Sequence, residues 1–469
     1  MATREALVTG DRAAGGRFGA LTARELARKL VHMAVGGIAF AVVFLGPLYS
    51  ALCALAALLS NLFVLPRLGG KYLWRGDEER RGLSLGIVFY PLSVLLLILI
   101  YWRHLEVAAA VWGILAFGDG MASLAGRGLG GPALPWNPAK SWSGTFTYWL
   151  CGGIGAAVLL GHTLLEQEAA GPAQWPFWIA VAAAAAALAA IIESLPMAVD
   201  DNLSVPLLTA PFLHGLLTSA SFWQSPAFAA WLAALPAGLL LNLVFAGLAF
   251  KLRSVDLSGA VVGTLLGTLL YASAGLAGWL LLLAFFVFGT AATKLGYARK
   301  KAAGLAQEKG GRRSARHAVA NSGVAAICAF FAAATPHAPI YLAALAGAFA
   351  TATGDTISSE IGQLWGRRTF LITTLKPVPR GTDGAISLEG TLAGLLASAA
   401  IAFLGAALGL YSPLAALLVT LAAFLGTLLE SLIGATLEQR GLFGNEAVNF
   451  LNTLCGALLA ALFVALAAA

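Results

Sequence analysis

Apolar runs long enough to cross the ~30 Å hydrocarbon core of a bilayer recur from one end of this 469-residue chain to the other. No motif constrains the fold as strongly. In lipid every backbone N–H and C=O must be satisfied internally, which leaves only helices and closed barrels. Runs such as "YPLSVLLLILIYW" and "LLLLAFFVFG" are continuous rather than alternating, so they read as helices. With 59% hydrophobic and only 11% charged residues, the chain lies far from the ~25% charge of soluble domains. The expected fold is an all-α integral membrane protein, with about fifteen transmembrane helices in two helical bundles. The spans fall near 31–47, 49–66, 83–101, 105–117, 143–161, 176–192, 204–220, 227–250, 257–274, 277–292, 318–334, 338–352, 390–410, 413–436 and 446–468.

Placing the N-terminus in the cytoplasm leaves every one of the 29 Lys and Arg residues except Arg103 on the inner side, the positive-inside pattern. The net charge of +7 therefore reports orientation, and no nucleic-acid partner is expected. The loops 118–142, 193–203 and 353–389 share the cytoplasmic face. Cys53, Cys151, Cys328 and Cys455 all lie in apolar segments without CxxC spacing and read as small core residues. The first apolar run opens only after about 30 residues and leads into further spans, so no cleavable signal is expected. The expected location is a prokaryotic cytoplasmic membrane.

Turn residues in "SASFWQSPAFAAWLAALPAG" separate two differently patterned halves, giving domains 1–222 and 235–469 with a linker at 223–234. The loop 293–317 holds eight of the 29 basic residues and reads as a solvated loop or a contact with anionic headgroups.

In the first half, "RELARKLVHMAVGG" brings Arg28, Lys29 and His32; "FGDGMASLAGRGLGG" brings Asp119 and Arg127; "LPWNPAKSWSGT" brings Lys140, Ser141 and Thr145; and "IIESLPMAVDDNLSVPL" brings Glu193, Asp200, Asp201 and Asn202. Phosphoryl transfer is mostly positioning and charge neutralisation, with carboxylates for Mg²⁺ and cations for phosphate. Asp119, Asp200 and Asp201 supply the first, Lys140 and Arg127 the second. Other readings stay open for single residues: Asn202 as a turn or cap, Glu193 as a snorkelling carboxylate, His32 as a packed interfacial histidine. In order and approximate spacing these blocks, over about residues 24–222, resemble the phytol kinase branch of the polyprenol (dolichol) kinase family. The resemblance implies transfer of the γ-phosphate of a nucleotide, typically CTP with ATP or UTP not excluded, to the hydroxyl of a long-chain isoprenoid alcohol.

The second half carries "DLSGAVVGTLLG", "GGRRSARHAVANSGVAA", "ATATGDTISSEIG", "LITTLKPVPRGTDGAISLEGTLAG", "LLESLIGATLEQ" and "NEAVNFLNTLCGA". Asp355 and Ser359, four apart, share one helix face beside Glu360. Lys376 and Arg380 are placed to clamp phosphates if their loop folds over, and Thr382, Asp383, Arg313 and Asn321 add polar groups. Glu430 is an intramembrane carboxylate, a functional candidate by default. Asn449 and Asn452 share a face of the last span, either for a ligand or for interhelix hydrogen bonds. Over about residues 235–468 this order resembles the phytyl-phosphate kinase family, long known as an uncharacterised integral membrane domain. That family usually has alanine where Gly354 stands, and asparagine is common at Asp383. Together the resemblances imply a bifunctional kinase taking phytol, or a related prenyl alcohol, to its monophosphate and then its diphosphate. Expected metal ligands are Asp119, Asp200, Asp201, Asp355 and Glu360 for Mg²⁺. Expected partners are the alcohol, its monophosphate and membrane lipids; an oligomer is compatible with the sequence. The rival readings are a lipid-phosphate cytidylyltransferase and a polyprenyl-lipid transporter, which would gather polar residues at the bilayer midplane on broken helices.

Overall fold

The computed structural model describes residues 23–65, 67, 85–135, 137–168, 171–195, 200–305, 311–438 and 444–468. The expected loops 67–82 and 437–445 fall largely outside them. The protein is an all-α integral membrane protein, and among the described residues twelve helices are long and apolar enough to cross a membrane. The difference from about fifteen has three local sources. The expected spans 31–47 and 49–66 run as one helical stretch, Glu25–Val64, broken at Gly46 (φ 68°, ψ 175°) ahead of Pro47. The spans 257–274 and 277–292 join as Leu257–Lys294, broken at Gly275 (φ 65°, ψ −164°). A straight helix of those 38 residues would be about 57 Å long, so the glycine lets the chain redirect before it overruns the bilayer. The stretch expected at 83–101 is the 16-residue helix Leu85–Ile100, below the length of a full span.

The chain divides into two compact units, Met1–Leu217 and Thr218–Ala469. The expected linker 223–234 is in large part helix, because Pro226 occupies the first turn of a helix running to Lys251, where its missing N–H is no loss.

The first unit contains α1 (Ala23–Gly36), α2 (Val42–Leu59), α3 (Leu85–Ile100), α4 (Leu105–Gly113), α5 (Asp119–Gly128), α6 (Trp142–Glu166), α7 (Trp175–Ser194) and α8 (Asp201–Thr218). A π-helical turn, Ile114–Gly118, joins α4 to α5 without a break in the span. This central segment is the best buried: Val107, Ala109, Ala110, Val111, Ile114 and Ala116 are all fully enclosed.

The second unit contains α9 (Pro226–Lys251), α10 (Leu257–Lys294), α11 (Tyr297–Ala302), α12 (Ala315–Ala334), α13 (Ala338–Trp365), α14 (Leu388–Ala407), α15 (Pro413–Ile433) and α16 (Asn445–Ala468). An antiparallel hairpin of β1 (Thr369–Leu371) and β2 (Ala385–Ser387) sits between α13 and α14, pairing Thr369 with Ser387. Side chains fix the helix starts: Asp256, Ser387 and Ser412 accept from the N–H groups of Gly259, Gly390 and Ala415, each satisfying a donor the first turn cannot. The core centres on α13, with Phe349 and Leu345 packed against Leu270, Leu281, Ile401 and Val419. The glycine at 354 is dictated by this packing: a Cβ there would lie 2.2 Å from Ser398 Oγ and 3.2 Å from the Gly394 carbonyl of α14.

Candidate functional site

In the first unit one cluster gathers residues from five segments. Lys29 Nζ lies 2.6 Å from Asp119 Oδ2, and His32 Nε2 lies 3.6 Å from the same oxygen while contacting the Leu115 carbonyl at 3.2 Å. Lys140 Nζ reaches Glu193 Oε1 at 2.6 Å and Asp201 Oδ2 at 3.1 Å, and donates to the Glu193 carbonyl as well. Burial works against the Lys140 ammonium, but the Glu193 and Asp201 carboxylates outweigh it and raise its pKa. Arg28, Asp200 and Asn202 meet over Gly86 of α3, where a Cβ would lie 2.8 Å from Arg28 Nη2, 3.4 Å from Asn202 Nδ2 and 3.6 Å from Asp200 Oδ2. Asn202 also folds back on Asp200, its backbone N–H and side-chain amide both donating to Oδ1 (3.0 and 2.8 Å).

One expectation is corrected here. Asp119 and Arg127 do not share a loop with Lys140; both lie on α5, because the glycines of "GDGMASLAGRG" serve close packing. At Gly118 a Cβ would fall 2.9 Å from the Tyr148 ring. Arg127 is about two turns beyond Asp119, half-exposed and paired with Glu25 at 2.8 Å. Ser141 uses its hydroxyl to cap α6, accepting from the Gly144 N–H. Thr145 and Tyr148, three apart on α6, carry buried hydroxyl oxygens with no hydrogen-bond partner. Tyr148 was not singled out from the sequence; its i, i+3 spacing from Thr145 is the signal that places it on the same face.

In the second unit a cavity of about 990 Å³ is lined by Arg313, Asn321, Asp355, Ser359, Glu360, Thr382, Asp383, Glu430 and Asn449, together with Asp256 and His317. Asp355 of α13 and Glu430 of α15 share a side-chain hydrogen bond. Asn449 donates to Asn445 at 3.2 Å, and Asn321 to the His317 carbonyl at 3.0 Å. Arg313 lies 5.1 Å from the Phe285 ring centre and 5.9 Å from that of Phe286. Burial lowers its pKa to about 10, against the opposing pull of Glu360, so it remains a cation at neutral pH.

Not every expected residue of the second unit reaches the cavity wall. Lys376 and Arg380 are exposed and absent from the cavity wall. The same loop brings Gly381, Thr382 and Asp383 to the cavity wall, while Arg380 approaches the Leu364 carbonyl at 3.5 Å. Asn452 is 2% exposed and lies outside the cavity wall, its Oδ1 without a partner. Glu360 forms an ion pair with Lys300, both nearly inaccessible. The basic stretch 293–317 is thus not simply a solvated loop: Lys300 is 2% exposed and Arg313 lines the cavity.

Among the described residues no group of three or more His, Cys, Asp or Glu side chains is arranged to hold a metal ion. Asp119, Asp201 and Glu360 of the expected metal set are each engaged by a lysine. The Asp355–Glu430 pair does fit Mg²⁺, which is usually held by one or two carboxylates with phosphate oxygens completing its shell.

The fold and these clusters define a polytopic membrane protein with buried polar chemistry in each unit. The chain belongs to the family described as integral membrane protein DUF92, whose model matches residues 240–457. It is 38% identical over 260 residues to the chloroplastic protein VTE6 of Arabidopsis thaliana, covering 54% of this chain and 78% of that protein. An uncharacterized membrane protein of Synechocystis is 45% identical over 198 residues, 42% of this chain and 77% of that one. A protein named probable phytol kinase 2, chloroplastic, of Glycine max is 30% identical over 206 residues, 40% of this chain and 64% of that one. No solved structure matches the chain.

Proposed function

We propose that the protein is a prenyl-alcohol phosphotransferase of two consecutive steps, the first unit phosphorylating phytol or a related alcohol and the second converting the monophosphate to the diphosphate. CTP is the proposed donor, and both sites face the side of the membrane that carries the basic loops. The observation that carries the reading is the second unit's cavity, which combines a carboxylate pair, a cation held at neutral pH and a volume of about 990 Å³, the scale of small-molecule sites. Similarity to a relative named as a phytol kinase supports the same class of chemistry.

In the second unit an oxygen of the prenyl monophosphate attacks the γ-phosphorus of the nucleotide. The bond from that phosphorus to the β–γ bridging oxygen breaks, and the nucleoside diphosphate leaves. Arg313 neutralises phosphate charge, while Asn321, Thr382 and Asn449 supply hydrogen bonds from three different elements. Asp355 and Glu430 would hold Mg²⁺, which when bound neutralises the charge of the transferring phosphates. In the first unit the same displacement joins the alcohol oxygen to phosphorus. The hydroxyl proton passes to a carboxylate of the Asp119–Glu193–Asp201 group, and Lys29 and Lys140 turn from their carboxylates to the phosphates.

The test is a product assay on purified protein with phytol, Mg²⁺ and γ-labelled CTP, and γ-labelled ATP in parallel. Label in phytyl diphosphate is the expected result. Release of pyrophosphate with cytidylylation of the lipid, or no transfer to any prenyl alcohol, overturns the reading.

A further inference from the structure

Beside the polar cavity lies a second, narrow cleft of about 70 Å³ between α9, α10 and α12. Most of its exposed wall is apolar, with Phe245, Ala246, Ala249, Leu282 and Phe286 prominent, while Asn242, Thr264 and Ser322 add polar groups. The two spaces are continuous in their lining: Arg313, Ser314 and His317 border both. An apolar slot whose mouth carries a cation, opening beside a carboxylate-bearing cavity, matches an amphiphile with an anionic head and a hydrocarbon chain. The outer faces of the same helices are lipid-like, with Leu240 66% and Val244 67% exposed on α9 and Leu265 62% exposed on α10. A chain entering here comes from a hydrocarbon environment. The slot is too narrow for a nucleotide's base and sugar, which leaves those to the larger cavity.

We propose that this cleft seats the first part of the hydrocarbon chain of a prenyl monophosphate, with Arg313 at the junction gripping its phosphate. The proposal rests on reading the second unit as a monophosphate kinase and adds where, and by which residues, that substrate is held. Gly259 and Gly263 mark out the slot along α10. Gly259 packs on the Arg313 backbone, a Cβ there falling 2.2 Å from its carbonyl oxygen, whereas a Cβ at Gly263 meets nothing within 4 Å. One helical turn, about 6 Å, therefore separates the Arg313 backbone from an unfilled position in the wall, while the Arg313 guanidinium lies against Gly289 and over Phe285, which also lines the cleft. A side chain at 263 starts into open space and, if larger, occupies the space the prenyl chain needs.

The experiment uses the full-length protein in detergent micelles and two readouts. A prenyl monophosphate with a diazirine in its first isoprene unit is photolysed on the wild type and on Gly263→Leu, and crosslinked peptides are mapped. KM and kcat for phytyl monophosphate are measured in parallel, with the unfolding midpoint as a check of folding. Expected are wild-type crosslinks within the cleft wall, 242–264, 282–286 or 313–322, that excess phytyl monophosphate removes, their loss in Gly263→Leu, and a rise in KM of about tenfold or more at nearly unchanged kcat. Crosslinks that map elsewhere, or that dioleoyl phospholipid removes and phytyl monophosphate does not, overturn the assignment; the latter makes the cleft a resident-lipid site. An unchanged KM in Gly263→Leu also overturns it. If the wild type crosslinks as expected yet forms no diphosphate, the cleft assignment stands and the kinase reading of the second unit fails.

Discussion

Lys300 and Glu360 form an ion pair whose side chains are only 2% and 4% exposed, and removing one partner has a calculable consequence. The Lys300 ammonium is fully used. Besides Glu360 it donates to the carbonyls of Ala292 (3.2 Å) and Thr293 (2.9 Å), two of the last-turn acceptors that α10 cannot satisfy itself. It thereby ties the end of α10 to α13, the central helix of the second unit. Substituting Lys300→Met keeps an apolar stem of similar length and deletes the cation, so the buried Glu360 carboxylate loses the lysine and keeps only weaker opposite charge such as Arg313. Breaking a buried pair in this way costs about 3–5 kcal/mol, roughly 6–20 °C in unfolding midpoint for a unit of this size. Glu360→Gln added to Lys300→Met removes the stranded charge and should return most of that loss. The assay is thermal unfolding of all four members of the cycle in detergent, with diphosphate formation measured alongside. A double variant as unstable as Lys300→Met alone would refute the pairing argument. A double variant that is stable but inactive would refute the other half of the reasoning, returning Glu360 to the metal or the substrate.

Asp119→Asn should abolish monophosphate formation from the alcohol while leaving diphosphate formation from supplied monophosphate, read in the product assay; loss of both would defeat the assignment of one step to each unit. Tyr148→Phe removes a buried hydroxyl with no partner, so the ligand-free protein should hold its stability or gain up to about 1–3 kcal/mol, and a clear drop in unfolding midpoint would show that the hydroxyl is already bonded. The raised pKa of Lys140 gives a pH test. A base whose folded pKa exceeds its unfolded value of about 10.4 contributes stability that is whole below that value and lost as pH rises through the folded pKa. The midpoint difference between wild type and Lys140→Met should therefore not narrow from pH 6 to 9, staying level or widening as the carboxylates that the variant leaves behind without their cation ionise, and a narrowing across that range would contradict it.

Helices, the two-part organisation and the residues that line the sites were legible to different depths. The spans could be read because periodicity and length act over many residues at once, so an error of a few positions does not matter. Their ends could not. Asp119 looked like the first residue of a loop because glycines on both sides suggest a turn. In the fold Gly118 admits the Tyr148 ring and Gly120 the Met33 side chain, and the helix runs on through a π turn to Gly128. Asp355 was correctly placed on one helix face with Ser359, since i, i+4 spacing is a property of the helix alone. That Glu430 would meet Asp355 is a long-range fact, set by how α13 and α15 pack, and no spacing encodes it.

Basic residues show the limit most clearly. In "TKLGYARKKAAGLAQEKGGRRSARH" the charges look equivalent, and in "LKPVPRG" Lys376 and Arg380 look like a phosphate clamp. The fold reverses both impressions. Gly296, at φ 59°, starts a short helix that turns Lys300 inward onto the end of α10, and the Val255–Arg313 bridge fixes the backbone of Arg313, whose guanidinium lies over Phe285. The β hairpin meanwhile holds Lys376 and Arg380 at the surface. A cation's role here depends on whether the chain next to it turns toward carbonyls and carboxylates that are otherwise unpaired. The lysine that looked like one of a solvated row is therefore a buried structural tie, and the arginine 13 residues further on lines the cavity of the second unit.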